Sequence, residues 1–145
     1  MLDRSLVGRE SEPVTVEVER GAIRRFAEAI GDQNPIYEDE AAARSAGFAA
    51  LATPPTFPSV LAGNDRFRQS LGLDPGSFLH GEQSFEYGRP LVAGDRVTVR
   101  SRVAEVSERP GPSGPAELLV IEDEGRDASG ALLFRARQTL VLRRG

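Results

Sequence analysis

Cysteine and tryptophan are absent from the 145 residues, and histidine and methionine occur once each. Without cysteine the chain can form neither a disulfide nor a thiolate metal site. That absence fits a reducing cytoplasm, where we expect the protein. With a single histidine, His80, and no carboxylate at ligand spacing beside it, no metal site of any kind is expected. Long apolar runs are missing too, and none approaches the roughly 20 residues that span a bilayer. The opening Met1-Leu2-Asp3-Arg4-Ser5-Leu6 carries charge and no extended apolar core, so no secretory leader and no membrane partner are expected. Nor is there a block of one charge. The 18 basic and 22 acidic residues are interspersed and leave a net charge of −4. A nucleic-acid partner would want a basic face, and none is expected here. Aromatic residues make up only 6% and apolar residues 39%. Part of the apolar surface is therefore expected to be completed by another chain.

What remains is the pattern of one domain over 1–145, large enough to fold without covalent staples. Residues 13–19 alternate apolar and polar, as a strand does. Ile23, Phe26 and Ile30 then recur at helical spacing over 22–30, and Gly31 stops that helix. A shorter helix is expected over 38–46. After Pro54-Pro55, the stretch from about Thr56 to Leu71 carries Phe57, Val60, Leu61, Phe67 and Leu71, and reads as a longer central helix weakened by Gly63-Asn64. From there the period switches to two. Strands are expected over 78–87, 96–106, 117–127 and 132–142, joined in succession by turns at 90–95, 109–115 and 127–130. Helices early and strands late make an α+β fold, an antiparallel sheet whose fifth strand, 13–19, adds at an edge.

Phe26-Ala27-Glu28-Ala29-Ile30-Gly31-Asp32-Gln33-Asn34-Pro35-Ile36-Tyr37 resembles the hydratase motif of the MaoC-like family. Pro54-Pro55-Thr56-Phe57, Leu79-His80-Gly81-Glu82-Gln83 and Arg89-Pro90-Leu91-Val92-Ala93-Gly94-Asp95 extend the likeness over most of the chain. The resemblance is to the N-terminal, FAS1-like dehydratase domain, a type that includes one subunit of the heterodimeric (3R)-hydroxyacyl-acyl carrier protein dehydratases. It implies a hot-dog fold, with a five-stranded sheet wrapped around a central helix. It also implies assembly into a homodimer or a heterodimer with another MaoC-like subunit. The implied ligand is an acyl thioester of coenzyme A or a carrier protein, with no further cofactor.

In catalytic members of that family the loop reads Gly-Asp-x-Asn-Pro-aliphatic-His. Its Asp and His hold the water that is added across an enoyl double bond, while a backbone N–H at the start of the central helix polarises the thioester carbonyl. Here Asp32, Asn34 and Pro35 match, and Tyr37 stands where the histidine would be. Imidazole exchanges a proton near neutrality, whereas an ordinary phenol titrates near 10 and is a poor base. The resemblance thus implies a subunit that grips the acyl chain while a partner brings the Asp/His pair.

Asp32, Tyr37 and, below them, His80 are the catalytic candidates. Asn34, Pro55, Thr56, Phe57, Gly63 and Asn64 are the substrate-binding candidates. Each has a plainer reading. Asp32 and Asn34 suit a turn, Tyr37 suits packing beside it, His80 suits a structural strand position, and Gly63-Asn64 suits a helix kink. Arg66, Arg68, Arg89 and Arg96 can meet the phosphates of coenzyme A or an acidic carrier protein, or simply face water. Two other functions stay open: a non-catalytic acyl-thioester-binding or assembly module, and a hot-dog thioesterase using Asp65.

Overall fold

The computed structural model describes residues 2–61 and 64–142, and of Asn64 only the backbone. A 3-10 turn at Arg4–Leu6 leads to strand β1 (Val14–Glu17) and helix α1 (Arg20–Ala29). A second 3-10 turn (Pro35–Tyr37), helix α2 (Glu40–Ser45), a third 3-10 turn (Phe57–Val60) and helix α3 (Asn64–Ser70) follow. A last 3-10 turn (Pro75–Ser77) runs straight into β2 (Phe78–Tyr87), and β3 (Arg96–Arg109), β4 (Ala116–Arg126) and β5 (Leu132–Leu142) complete the sheet.

The sheet is antiparallel and open, in the order β1-β3-β4-β5-β2. Strands were expected to pair in succession, which would set β2 beside β3. Instead β2 pairs with β5, from Phe78 opposite Leu142 to Tyr87 opposite Phe134. The cause is where residues 88–95 send their backbone hydrogen bonds. The N–H of Ala93 donates to Leu51 O (2.9 Å) and that of Gly94 to Val18 O (2.8 Å), while Leu91 O accepts from the N–H of Thr53 (3.2 Å). The segment therefore crosses one end of the sheet and does not close a hairpin.

Alternation gives the sheet two unlike faces. Val97, Val99 and Val103 of β3, Leu119 and Ile121 of β4, and Phe134, Ala136 and Leu140 of β5 are buried. Each large apolar side chain removed from water contributes about 1.5–3 kcal/mol. On the opposite face, arginines and carboxylates meet across strands. Arg137 and Arg102 both reach Glu122 (3.2 and 3.6 Å), and Arg135 reaches Glu124 (2.8 Å).

The described residues of the expected central helix, 57–61 and 64–71, lie against the buried face. Phe57 and Leu61 pack with Ile23, Ala27, Leu91 and Phe134, whereas Phe67 and Leu71 pack with Val103, Leu119 and Leu140. It is not one unbroken helix from Thr56. Pro58, in the first turn of the 3-10 stretch, has no N–H to offer; that stretch ends at Val60 with Leu61 as its cap, and α3 is Asn64–Ser70. This is the hot-dog arrangement, with an interrupted central helix.

Candidate functional site

The site grows from the end of α1. Gly31 adopts φ 73°, a left-handed conformation that suits glycine. Its N–H donates to Glu28 O (3.1 Å), and the next N–H, of Asp32, donates to Ala27 O (2.9 Å). Those two bonds close the helix in a Schellman motif. Two side-chain turns follow. Asp32 Oδ1 accepts from the N–H of Asn34 (3.1 Å), and Asn34 Oδ1 accepts from the N–H of Ile36 (3.2 Å). Pro35 presets the backbone of the 3-10 turn that carries Tyr37. The two side-chain turns thus shape the Gly-Asp-Gln-Asn-Pro stretch, and Tyr37 beyond it is buried.

The loop divides two hollows. Asp32 is exposed and lines a polar hollow with Ala27, Glu28, Gly31, Gln33 and Glu38. Tyr37 is 6% exposed and lines the other, of about 360 Å³, with Ile36, Phe48, Ala52, Thr53, Pro55, Tyr87 and Pro90. A volume of this size falls within the range of small-ligand sites. Burial pushes the Tyr37 phenol above its ordinary value, and the charge of Asp32 pushes it further the same way. Both effects keep the proton on the oxygen. At neutral pH Tyr37 is therefore a hydrogen-bond donor and not a base.

The floor and far wall of the hollow come from distant segments. Leu51–Thr53 is held on both sides. The N–H of Ala52 donates to Ile36 O (3.0 Å), and the Thr53 hydroxyl donates to Leu91 O (3.0 Å). Tyr87, the last residue of β2, donates its hydroxyl to Pro55 O, and burial pushes its phenol up to about 12. Phe48 and Tyr87 had no signal beyond composition, although the alternation of β2 puts Tyr87 on the same face as Phe85.

The other sequence candidates distribute as follows. Pro55 reaches the hollow. Thr56 is exposed, and its carbonyl accepts from the Ser59 hydroxyl (2.7 Å). Phe57 is a core residue, its ring edge-on to Phe26 at 5.6 Å. Its N–H is given to Pro54 O (3.0 Å). Gly63 and the side chain of Asn64 lie outside the described residues. His80 is exposed on β2 opposite Leu140. It lies seven residues before Tyr87, roughly 23 Å along an extended strand, so the structure does not bring it to Asp32 and Tyr37.

Among the arginines, Arg89 grips both carboxylate oxygens of Asp95 (2.8 and 3.0 Å) and so braces the crossing segment. Arg68 donates to the buried Gln138 (2.8 Å) and pairs with Asp65 (3.3 Å). Arg66 is exposed at the rim of a separate hollow with Glu10, Val14, Phe67 and Val99, and Arg96 is exposed opposite Glu17. Asp65 has a side chain 78% exposed and does not line the hollow beside Tyr37. Among the described residues no group of three or more histidines and carboxylates could hold a metal ion.

Residues 5–136 match the family model described as FAS1-like, dehydratase domain region. A UPF0336 protein of Streptomyces avermitilis is 40% identical over 147 residues, covering 98% of this chain and 95% of its own. Among solved structures, the C-terminally truncated HadBC (3R-hydroxyacyl-ACP dehydratase) complex of Mycobacterium tuberculosis superposes with TM-score 0.80 and 29% identity, over 94% of this chain and 96% of its own. A MaoC-like dehydratase gives TM-score 0.84 and 26% identity, with 95% of this chain matching 42% of the longer one.

Proposed function

The chain belongs to the FAS1-like dehydratase domain region family, and from that membership we propose that it is the acyl-binding subunit of a hydratase or dehydratase acting on acyl thioesters. The reaction is the reversible addition of water across a trans-2-enoyl thioester, with OH bonding to C3 and H to C2. In this reading the apolar hollow beside Tyr37 takes the acyl chain of a coenzyme A or carrier-protein thioester. A second MaoC-like subunit supplies the Asp/His pair that holds the water.

The observation that carries the reading is Tyr37 itself. It occupies the histidine position of a motif whose turn is otherwise intact, and it is buried, protonated and in the wall of the hollow. A neutral phenol can orient a ligand but is a poor partner for Asp32 in activating water. The HadBC structure, a complex of a (3R)-hydroxyacyl-ACP dehydratase, supports a two-subunit enzyme.

The test follows the enoyl-thioester absorbance with crotonyl and longer trans-2-enoyl substrates. We expect no turnover from the chain alone. Turnover is expected once a MaoC-like subunit with an intact Gly-Asp-x-Asn-Pro-x-His loop is added. Turnover by the chain alone, abolished in Asp32→Ala, would overturn the division of labour and make this an independent enzyme. Thioester binding without turnover in either sample would favour the non-catalytic module, which the same Tyr37 also supports.

A further inference from the structure

We propose that Tyr87 determines which acyl chains the hollow accepts, its ring forming a fixed bar between the edge strand and the Pro55 segment. The proposal rests on the acyl-thioester reading given above.

Three observations combine at this residue. First, Tyr87 alone brings strand β2 to the hollow, whose other lining residues come from the loops and turns at 36–55 and from Pro90. Second, it is tied at both ends. Its hydroxyl donates to Pro55 O, and its ring stacks on Phe85 with centroids 6.4 Å apart and planes 21° from parallel. Third, the backbone beneath it cannot retreat. At Gly88 the chain lies so close to β5 that a Cβ would fall 2.1 Å from Leu132 O, and the Gly88 N–H donates to Leu133 O (2.8 Å).

Tyr87 is nevertheless 38% exposed. The ring thus lines the hollow while remaining partly open to water, and in this proposal it marks where the hollow ends. A chain too long for the space beyond Tyr37 must displace that ring, and displacement breaks the bond to Pro55. Bulk at position 87 thus sets a cutoff by sterics, and the hydroxyl sets how firmly the cutoff is held.

The experiment measures affinities for saturated acyl-CoA thioesters of increasing chain length. It uses the purified chain, alone and with the partner subunit of the turnover assay. For the unaltered chain, affinity should rise with length and then fall. Tyr87→Ala should raise the ratio of long-chain to short-chain affinity at least about tenfold, since each excluded methylene costs a factor of that order. Tyr87→Trp should move the cutoff to shorter chains. Tyr87→Phe keeps the ring and guards against a folding defect in the alanine variant. It should raise the same ratio by a smaller factor. Binding with the same ratio in all four proteins would overturn the role of Tyr87 and leave the acyl-binding reading intact. No binding of any acyl-CoA or of the corresponding acyl carrier protein thioesters, with or without the partner, would overturn that reading and the role of Tyr87 with it.

Discussion

The two hollows on either side of residues 32–38 are built from one short stretch and could hardly differ more. On the Asp32 side, carboxylates face water and the aspartate is occupied by its own turn. On the Tyr37 side, aromatic and aliphatic side chains enclose a protonated phenol. The turn chemistry of the motif and its proton chemistry are therefore separable. Asp32, Asn34 and Pro35 shape the loop whether or not position 37 can exchange a proton. A motif retained in sequence can mark a fold and a binding site without marking a complete catalytic pair.

The sharpest way to break this contrast is to empty the apolar side. Tyr37→Ala should cost about 3 kcal/mol in urea denaturation, because it leaves a void among buried neighbours, and should abolish acyl-thioester binding. Next comes Gly88→Ala, which forces a methyl group against the Leu132 carbonyl. A loss of about 2 kcal/mol is expected, with a matching drop in the midpoint. A normal midpoint would show that the wall of the hollow yields.

How much of this the sequence disclosed depends on the range of the interaction. β2 and β5 begin and end where they were expected; in β5 alternation against one buried face is written locally, whereas β2 lies at the sheet edge and is mostly exposed. The order of strands was not legible. It is decided by residues 88–95 bonding to Leu51, Thr53 and Val18, partners about 40 to 75 positions away. The same distinction holds at the site. Asp32, Asn34 and Tyr37 stood out because their turn is local, whereas Tyr87 and Phe48 gain meaning only once the hollow closes. His80 stood out as the single histidine, but its height on the sheet was not legible, and it is the height that separates it from Tyr37.

A gentler perturbation is pH. Both phenols titrate above the ordinary value of 10.0 in the folded chain. The native state thus holds protons that the unfolded chain releases from pH 10 upward. Their contribution is fully present below pH 10 and is lost as pH rises through the folded values, which for Tyr87 means up to about 12. Circular dichroism should show stability falling across that window, and less steeply in Tyr87→Phe. The smallest effect belongs to the other hollow. Asp32→Ala removes one exposed turn bond and should cost about 0.5–1 kcal/mol by thermal melting, with affinity for saturated acyl-CoA unchanged. A large loss of affinity in that variant would join the two hollows into one site.

The chain contains two tyrosines and no tryptophan, and both tyrosines stand in the wall of the apolar hollow. Its intrinsic emission and most of its near-ultraviolet absorption therefore originate at that one place. An arriving ligand would announce itself as quenching or a spectral shift without any attached dye. The two single-phenylalanine variants would then assign the signal to one wall or the other.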